Sequence, residues 1–63
     1  MTENDLMYRE EAAEYLRIPT ATLSAWAYRS IGPEFFRVGR RVLYRRGDLD
    51  RWLEAQRVTP SLP

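Results

Sequence analysis

The sequence predicts a mainly α domain of three helices, with a small β-hairpin between the second and the third. Three observations lead there. Segments 9–16, 20–30 and 48–57 repeat apolar residues at helical spacing. Ile18-Pro19 separates the first two by a tight turn, and two runs rich in β-branched and aromatic residues flank Gly39.

Composition narrows the function classes. A chain of 63 residues makes one domain and buries too little surface for both a core and a deep catalytic pocket, so a surface-binding role is expected. With neither Cys nor His, disulfides, thiol nucleophiles, Cys/His metal sites and imidazole acid-base chemistry are excluded. No cofactor, metal, small-molecule ligand or catalytic residue is expected. The chain has no apolar run of the ~20 residues that span a bilayer, and it opens on the acidic Met1-Thr2-Glu3-Asn4-Asp5. A cytoplasmic protein with no membrane association is the expectation.

The formal net charge of +1 hides a segregation. Residues 1–16 hold Arg9 against Glu3, Asp5, Glu10, Glu11 and Glu14. Residues 17–46 hold Arg17, Arg29, Arg37, Arg40, Arg41, Arg45 and Arg46 against Glu34 alone. Cations confined to one stretch are the footprint of a phosphate-binding face. A solvated charged surface is the plainer reading of the same pattern. All the basic residues are Arg, which suits two-point binding of phosphate and guanine but also follows from a GC-rich genome, so their placement carries more weight than their type.

Taken in order, residues 1–5 form a flexible lead and Leu6-Met7-Tyr8 a short apolar approach. The first helix has Ala12, Ala13 and Leu16 on one face, and acids at its start complement the helix dipole. Arg17-Ile18-Pro19 ends it, because the residue before Pro is pushed out of the helical region, and Pro19 suits the opening of the next helix. That second helix, 20–30, buries Leu23, Trp26, Ala27 and Ile31. Thr20, Ala21, Ser24, Ala25 and Tyr28 look outward, with Thr22 and Arg29 on the flank. A Thr/Ser/Ala face is flat enough to lie against base edges and phosphates, and a helix start favours an anion. An ordinary amphipathic helix would read the same way.

Gly32-Pro33 breaks the second helix. In the hairpin that follows, both Gly39-Arg40 and Arg40-Arg41 qualify as the turn, with opposite inward faces. Either register puts Gly-Arg-Arg at the tip, where guanidinium groups enter a minor groove, clamp a phosphate strand, or merely blunt a sheet edge. The last helix, 48–57, shares Leu49, Trp52, Leu53 and Gln56 on one face. Residues 58–63, with two prolines, form a flexible tail.

The motifs Glu10-Glu11-Ala12-Ala13-Glu14-Tyr15-Leu16, Ile18-Pro19, Ala21-Thr22-Leu23, Trp26, Gly32-Pro33, Arg37-Val38-Gly39-Arg40-Arg41 and Asp48-Leu49-Asp50-Arg51-Trp52-Leu53, in this order, resemble the excisionase and AlpA type of small MerR-like DNA-binding domains. The resemblance spans residues 6–57 and implies a winged helix-turn-helix. By that resemblance the second helix enters the major groove of double-stranded DNA. Ala21, Ala25 and Tyr28 then face bases, Thr20, Thr22 and Ser24 lie near the backbone, and Gly39-Arg40 reaches the adjacent minor groove. It further implies cooperative copies on DNA and an integrase as partner in excising a phage or mobile element. A transcriptional regulator on the same fold and, from another class, a protein-interaction adaptor are the alternatives.

Three positions depart from the family pattern. Arg17 stands where relatives often have a turn glycine, at a cost of ~1 kcal/mol if the residue is left-handed. Gly47 replaces the usual Ser cap of the last helix. Ala21 and Ala25 cannot hydrogen-bond a base, so direct readout by this helix is expected to be thin. Affinity is expected from Arg29, Arg37, Arg40 and Arg41, with Arg45 as a further candidate.

Overall fold

The computed structural model describes residues 2–61. Among them the order of elements is β1 (Leu6–Tyr8), α1 (Arg9–Leu16), α2 (Thr20–Tyr28), β2 (Phe36–Val38), β3 (Arg41–Arg45) and α3 (Arg46–Ala55). The three helices and the hairpin are those the sequence predicts. The third strand is new: Leu6-Met7-Tyr8 is no mere approach but pairs with β3, so that β3 is the centre of an antiparallel sheet ordered β1-β3-β2. Three residues are too few to display an alternating pattern, although Met7 is indeed buried between an exposed Leu6 and an exposed Tyr8.

The register sets the two faces of the sheet. Met7 lies opposite Tyr44, and both join Ala12, Ala13, Leu16, Leu23 and Leu49 in the core, with Trp26, Phe35, Val42 and Trp52 packed against it. Leu6, Tyr8, Phe36 and Val38 fall on the other face and are exposed. Ala12 and Ala13 have no side chain beyond Cβ to hold neighbours apart, and both are fully covered.

The α1–α2 turn is closed by Arg17, whose φ of 62° and ψ of 38° confirm the left-handed conformation foreseen for a glycine position. Its N–H donates to the Glu14 carbonyl at 3.1 Å and that of Ile18 to the Ala13 carbonyl at 3.0 Å, capping α1. The Pro19 carbonyl then accepts from Thr22 and Leu23 at 3.0 and 3.2 Å, which starts α2. That helix stops at Tyr28, sooner than expected. Ser30 turns left-handed (φ 60°), and the Ile31 N–H closes back on the Trp26 carbonyl at 2.9 Å. Ile31, expected to be buried, is thereby swung outward and exposed.

Helix α3 starts at Arg46, two residues before the expected Asp48. Residues 2–5, placed ahead of the domain by the sequence, fold into a turn held by Thr2 N–H to Asp5 Oδ2 at 2.8 Å. The carbonyl of Asp5 accepts from Arg46 N–H at 2.9 Å, and that of Glu3 from Gly47 N–H at 2.8 Å. Backbone from the far end of the chain thus satisfies the first amides of α3, where a capping side chain would otherwise be wanted. Gly47 is buried, and a Cβ there would lie 3.1 Å from the Glu3 carbonyl oxygen. Its role is to let the two backbones meet, not to act as a weak cap. At the other end α3 outruns the core, so Leu53 and Gln56, expected on the buried face, are exposed. Residues 58–61 belong to no helix or strand; Met1, Leu62 and Pro63, the ends of the two segments expected to be flexible, lie outside the described residues.

Candidate nucleic-acid interface

Helix α2 is buried along one line only. Leu23 is covered, and the Trp26 ring meets Trp52 of α3 at 5.4 Å between centroids. Thr20, Ala21, Ala25, Tyr28 and Arg29 are exposed, while Thr22 and Ser24 are half-buried. Acids occupy the first turn of α1 (Glu10, Glu11) and of α3 (Asp48), but none occupies the first turn of α2. Its positive dipole end is therefore left uncompensated, as an anion-binding helix requires.

The arginines divide into two sets. Arg45 and Arg51 both pair with Asp48, the former at 3.1 Å; Arg46 pairs with Asp50 at 3.8 Å and Arg57 with Glu54 at 2.8 Å. All of these lie on α3 or at its threshold. Among the described residues no ion pair engages Arg17, Arg29, Arg37, Arg40 or Arg41, and all five are exposed. Arg45, a candidate phosphate contact by sequence, belongs to the paired set. The cause is the neighbouring Asp48, buried to 7% exposure, whose carboxyl the Arg45 hydrogen bond holds below the usual range. Tyr15 extends this neutralised side, donating to Asp50 and accepting from Arg46 Nε at 3.4 Å.

The hairpin register is settled by Val38 lying opposite Arg41, which makes Gly39-Arg40 the two-residue turn. Gly39 takes φ 62°, the positive value that type II′ hairpins place at their first turn residue. Arg40 stands at the tip. Arg41 lies over the Tyr8 ring at 4.9 Å and Arg37 over Phe35 at 5.9 Å; such stacking limits the positions a guanidinium takes and leaves its N–H groups free to donate.

One residue the sequence reading left out connects helix and hairpin. Arg9 opens α1 and donates from Nη1 to the Ser24 hydroxyl of α2 at 3.3 Å. Its guanidinium also sits beside the hydroxyl of Tyr44, whose phenol burial pushes above its ordinary range, with Arg9 offsetting part of that rise. It shares a surface cleft with Arg40 and Arg41. The signal for it was present: Arg9 is the lone cation of the acidic first sixteen residues, at a helix start where a cation is disfavoured.

Three helices and an antiparallel hairpin in this order define a winged helix-turn-helix domain. A family model described as a helix-turn-helix domain matches residues 9–57. The chain belongs to that family, and it is a small helix-turn-helix DNA-binding protein. No curated protein matches it. Among the described residues no cluster of His, Cys, Asp or Glu is arranged to hold a metal ion, and no helix is long and apolar enough to cross a membrane.

Proposed function

We propose that the protein acts on double-stranded DNA as an excisionase, a directionality factor that bends an attachment site and assists an integrase in excising a phage or mobile element. In this reading α2 lies in the major groove with Ala21, Ala25 and Tyr28 toward the bases. Thr20, Thr22, Ser24 and Arg29 meet the backbone, Arg40 enters the neighbouring minor groove, and Arg37 and Arg41 bind flanking phosphates. The observation that carries it is the pairing of unneutralised arginines with an α2 face on which Ala21 and Ala25, two of the three base-facing residues, carry no hydrogen-bonding group. Ala21 and Ala25 offer a base at most a methyl contact, whereas each guanidinium binds charge and shape. A protein so built selects deformable DNA more than a base sequence, which suits an accessory factor that bends a site. One small module covers only ~600–1,000 Å² of DNA, so several adjacent copies are expected to act together.

Neutralising about five phosphates gives a slope of roughly −4 to −5 in the logarithm of the binding constant against the logarithm of salt concentration. Arg40→Ala is expected to weaken duplex binding about tenfold or more, the cost of one charge-assisted contact. An excision assay with the integrase of the same element decides the finer reading. Recombinant protein should switch the reaction from integration toward excision, and Arg40→Ala should not. If excision proceeds equally without the protein while transcription of a neighbouring gene changes on its deletion, the regulator reading replaces this one.

A further inference from the structure

The cleft between the hairpin and the start of α1 is lined by Tyr8, Arg9, Glu10, Arg40, Arg41 and Val42. It gathers three guanidinium groups against one carboxylate. Its volume of about 190 Å³ is several times the ~30 Å³ share of a water molecule, so a phosphate group fits. Arg9 is badly placed for stability alone. It is half-buried and sits at the positive end of the α1 dipole. It has no carboxylate partner among the described residues, and its Nε is buried without an acceptor. Each circumstance disfavours a cation, and the like charges of Arg40 and Arg41 add to the penalty. Tyr8 forms one wall and orients Arg41 by stacking at 4.9 Å, while Arg9 Nη1 is held by Ser24 at 3.3 Å. Two of the three guanidinium groups, those of Arg9 and Arg41, are therefore restrained rather than free to spread apart.

We propose that this cleft is a phosphate site, and that its ligand is the DNA backbone phosphodiester lying between the groove faced by α2 and the groove entered by the hairpin. Arg9 is then a direct phosphate contact. The proposal rests on the DNA-binding reading above and adds a residue to it. Through Ser24 on one side and Arg40 and Arg41 on the other, a single anion ties the helix to the hairpin, so binding there sets the angle between them.

The test compares Arg9→Gln, Arg9→Lys and Ser24→Ala with the unaltered protein on one duplex over a range of salt. Loss of one phosphate contact lowers the salt slope by about 0.9, so Arg9→Gln should show that drop, with affinity about tenfold lower. Arg9→Lys should retain the slope. Ser24→Ala, which removes a hydroxyl and no charge, should also retain the slope, whatever it costs in affinity. A second measurement replaces single phosphates by neutral methylphosphonates. One position between the two grooves should weaken the unaltered protein and leave Arg9→Gln no weaker than before. If Arg9→Gln does not fold, the scan on the unaltered protein decides the matter, because a methylphosphonate between the two grooves that costs no affinity overturns the proposal. An unchanged slope in Arg9→Gln, or equal sensitivity of both proteins at every methylphosphonate, would overturn the proposal while leaving DNA binding intact. Absence of salt-dependent duplex binding by the unaltered protein would overturn both.

Discussion

The indole of Trp26 lies against that of Trp52 at 5.4 Å, tilted by 48°, and this contact between α2 and α3 fixes which face of α2 is turned out. Gly32 backs the same indole. It takes φ 83°, and a Cβ there would approach Trp26 Cε3 to 3.0 Å. Gly32→Ala therefore meets both a strained backbone and a ring that has to move, and it should cost ~1–3 kcal/mol. For a domain of this size that lowers the melting temperature by roughly 4–8 °C per kcal/mol. Duplex affinity measured well below the transition should fall as well, because the displaced ring carries α2 with it. Gly39→Ala is the control. It has a similar φ of 62° but nothing within 4 Å of its Cβ, so its cost is confined to the turn, at about 1 kcal/mol.

Arg17 is a left-handed residue with an exposed side chain and no ion pair among the described residues. Replacing it by Gly removes the clash of Cβ with its own backbone, offset in part by the greater freedom of the unfolded chain. Arg17→Gly is expected to raise stability by about 0.5–1 kcal/mol, visible as a higher melting temperature. If Arg17 also neutralises a phosphate, the salt slope falls by about 0.9; an unchanged slope places it outside the contact surface.

The helices were legible in the sequence because each repeats apolar residues at a spacing only a helix brings to one face, and the family resemblance marked Arg17 as a position that relatives fill with glycine, whereas the conformation of Gly39 followed only from the strand register. What the sequence did not disclose depends on contacts between distant residues. Met7 is recognisable as a core strand residue only once Tyr44 lies opposite it. Arg45 is distinguishable from Arg40 only once Asp48 is seen to claim it. Arg9 stands out in the sequence as a lone cation among acids, but only folding carries its guanidinium to Ser24 and the hairpin. Periodicity placed Thr20, Ala21, Ala25 and Tyr28 correctly on the exposed face of α2 but not Ser24, which is half-buried under Arg9, and the ends of α2 and α3 were set by Ser30 and by residues 3 and 5.

Asp48 has a carboxyl pKa below its ordinary value, first because Arg45 hydrogen-bonds it and then because Arg45 and Arg51 surround it with positive charge. A carboxylate depressed in the folded state stabilises it above the unfolded value of 3.8, and that contribution disappears as pH falls through the folded pKa. Stability should therefore decline below about pH 4. Asp48→Asn should be less stable than the parent at pH 7 by about 1–3 kcal/mol, and it should show a flatter acid limb. Equilibrium unfolding at a series of pH values checks this; parallel curves for the two proteins would assign the acid limb to other carboxyls.

Glu3 and Asp5 act on α3 through their carbonyls, which accept from Gly47 and Arg46 at 2.8 and 2.9 Å. A chain beginning at Leu6 leaves those two amides to water, and the loss of a helix cap of this kind costs about 1–2 kcal/mol. The same contact explains Gly47, and the two effects are coupled. In the full chain Gly47→Ala pushes a Cβ to 3.1 Å from the Glu3 carbonyl oxygen and 3.2 Å from Glu3 Cβ, so the terminal turn has to detach and the substitution destabilises. In the shortened chain nothing stands opposite, and alanine gains its helix-forming advantage of about 0.5–1 kcal/mol over glycine. The sign of Gly47→Ala should thus reverse between the two backgrounds, a non-additivity that denaturant unfolding of the four proteins measures directly. Destabilisation of equal size in both would mean that something other than residues 2–5 requires glycine at this position.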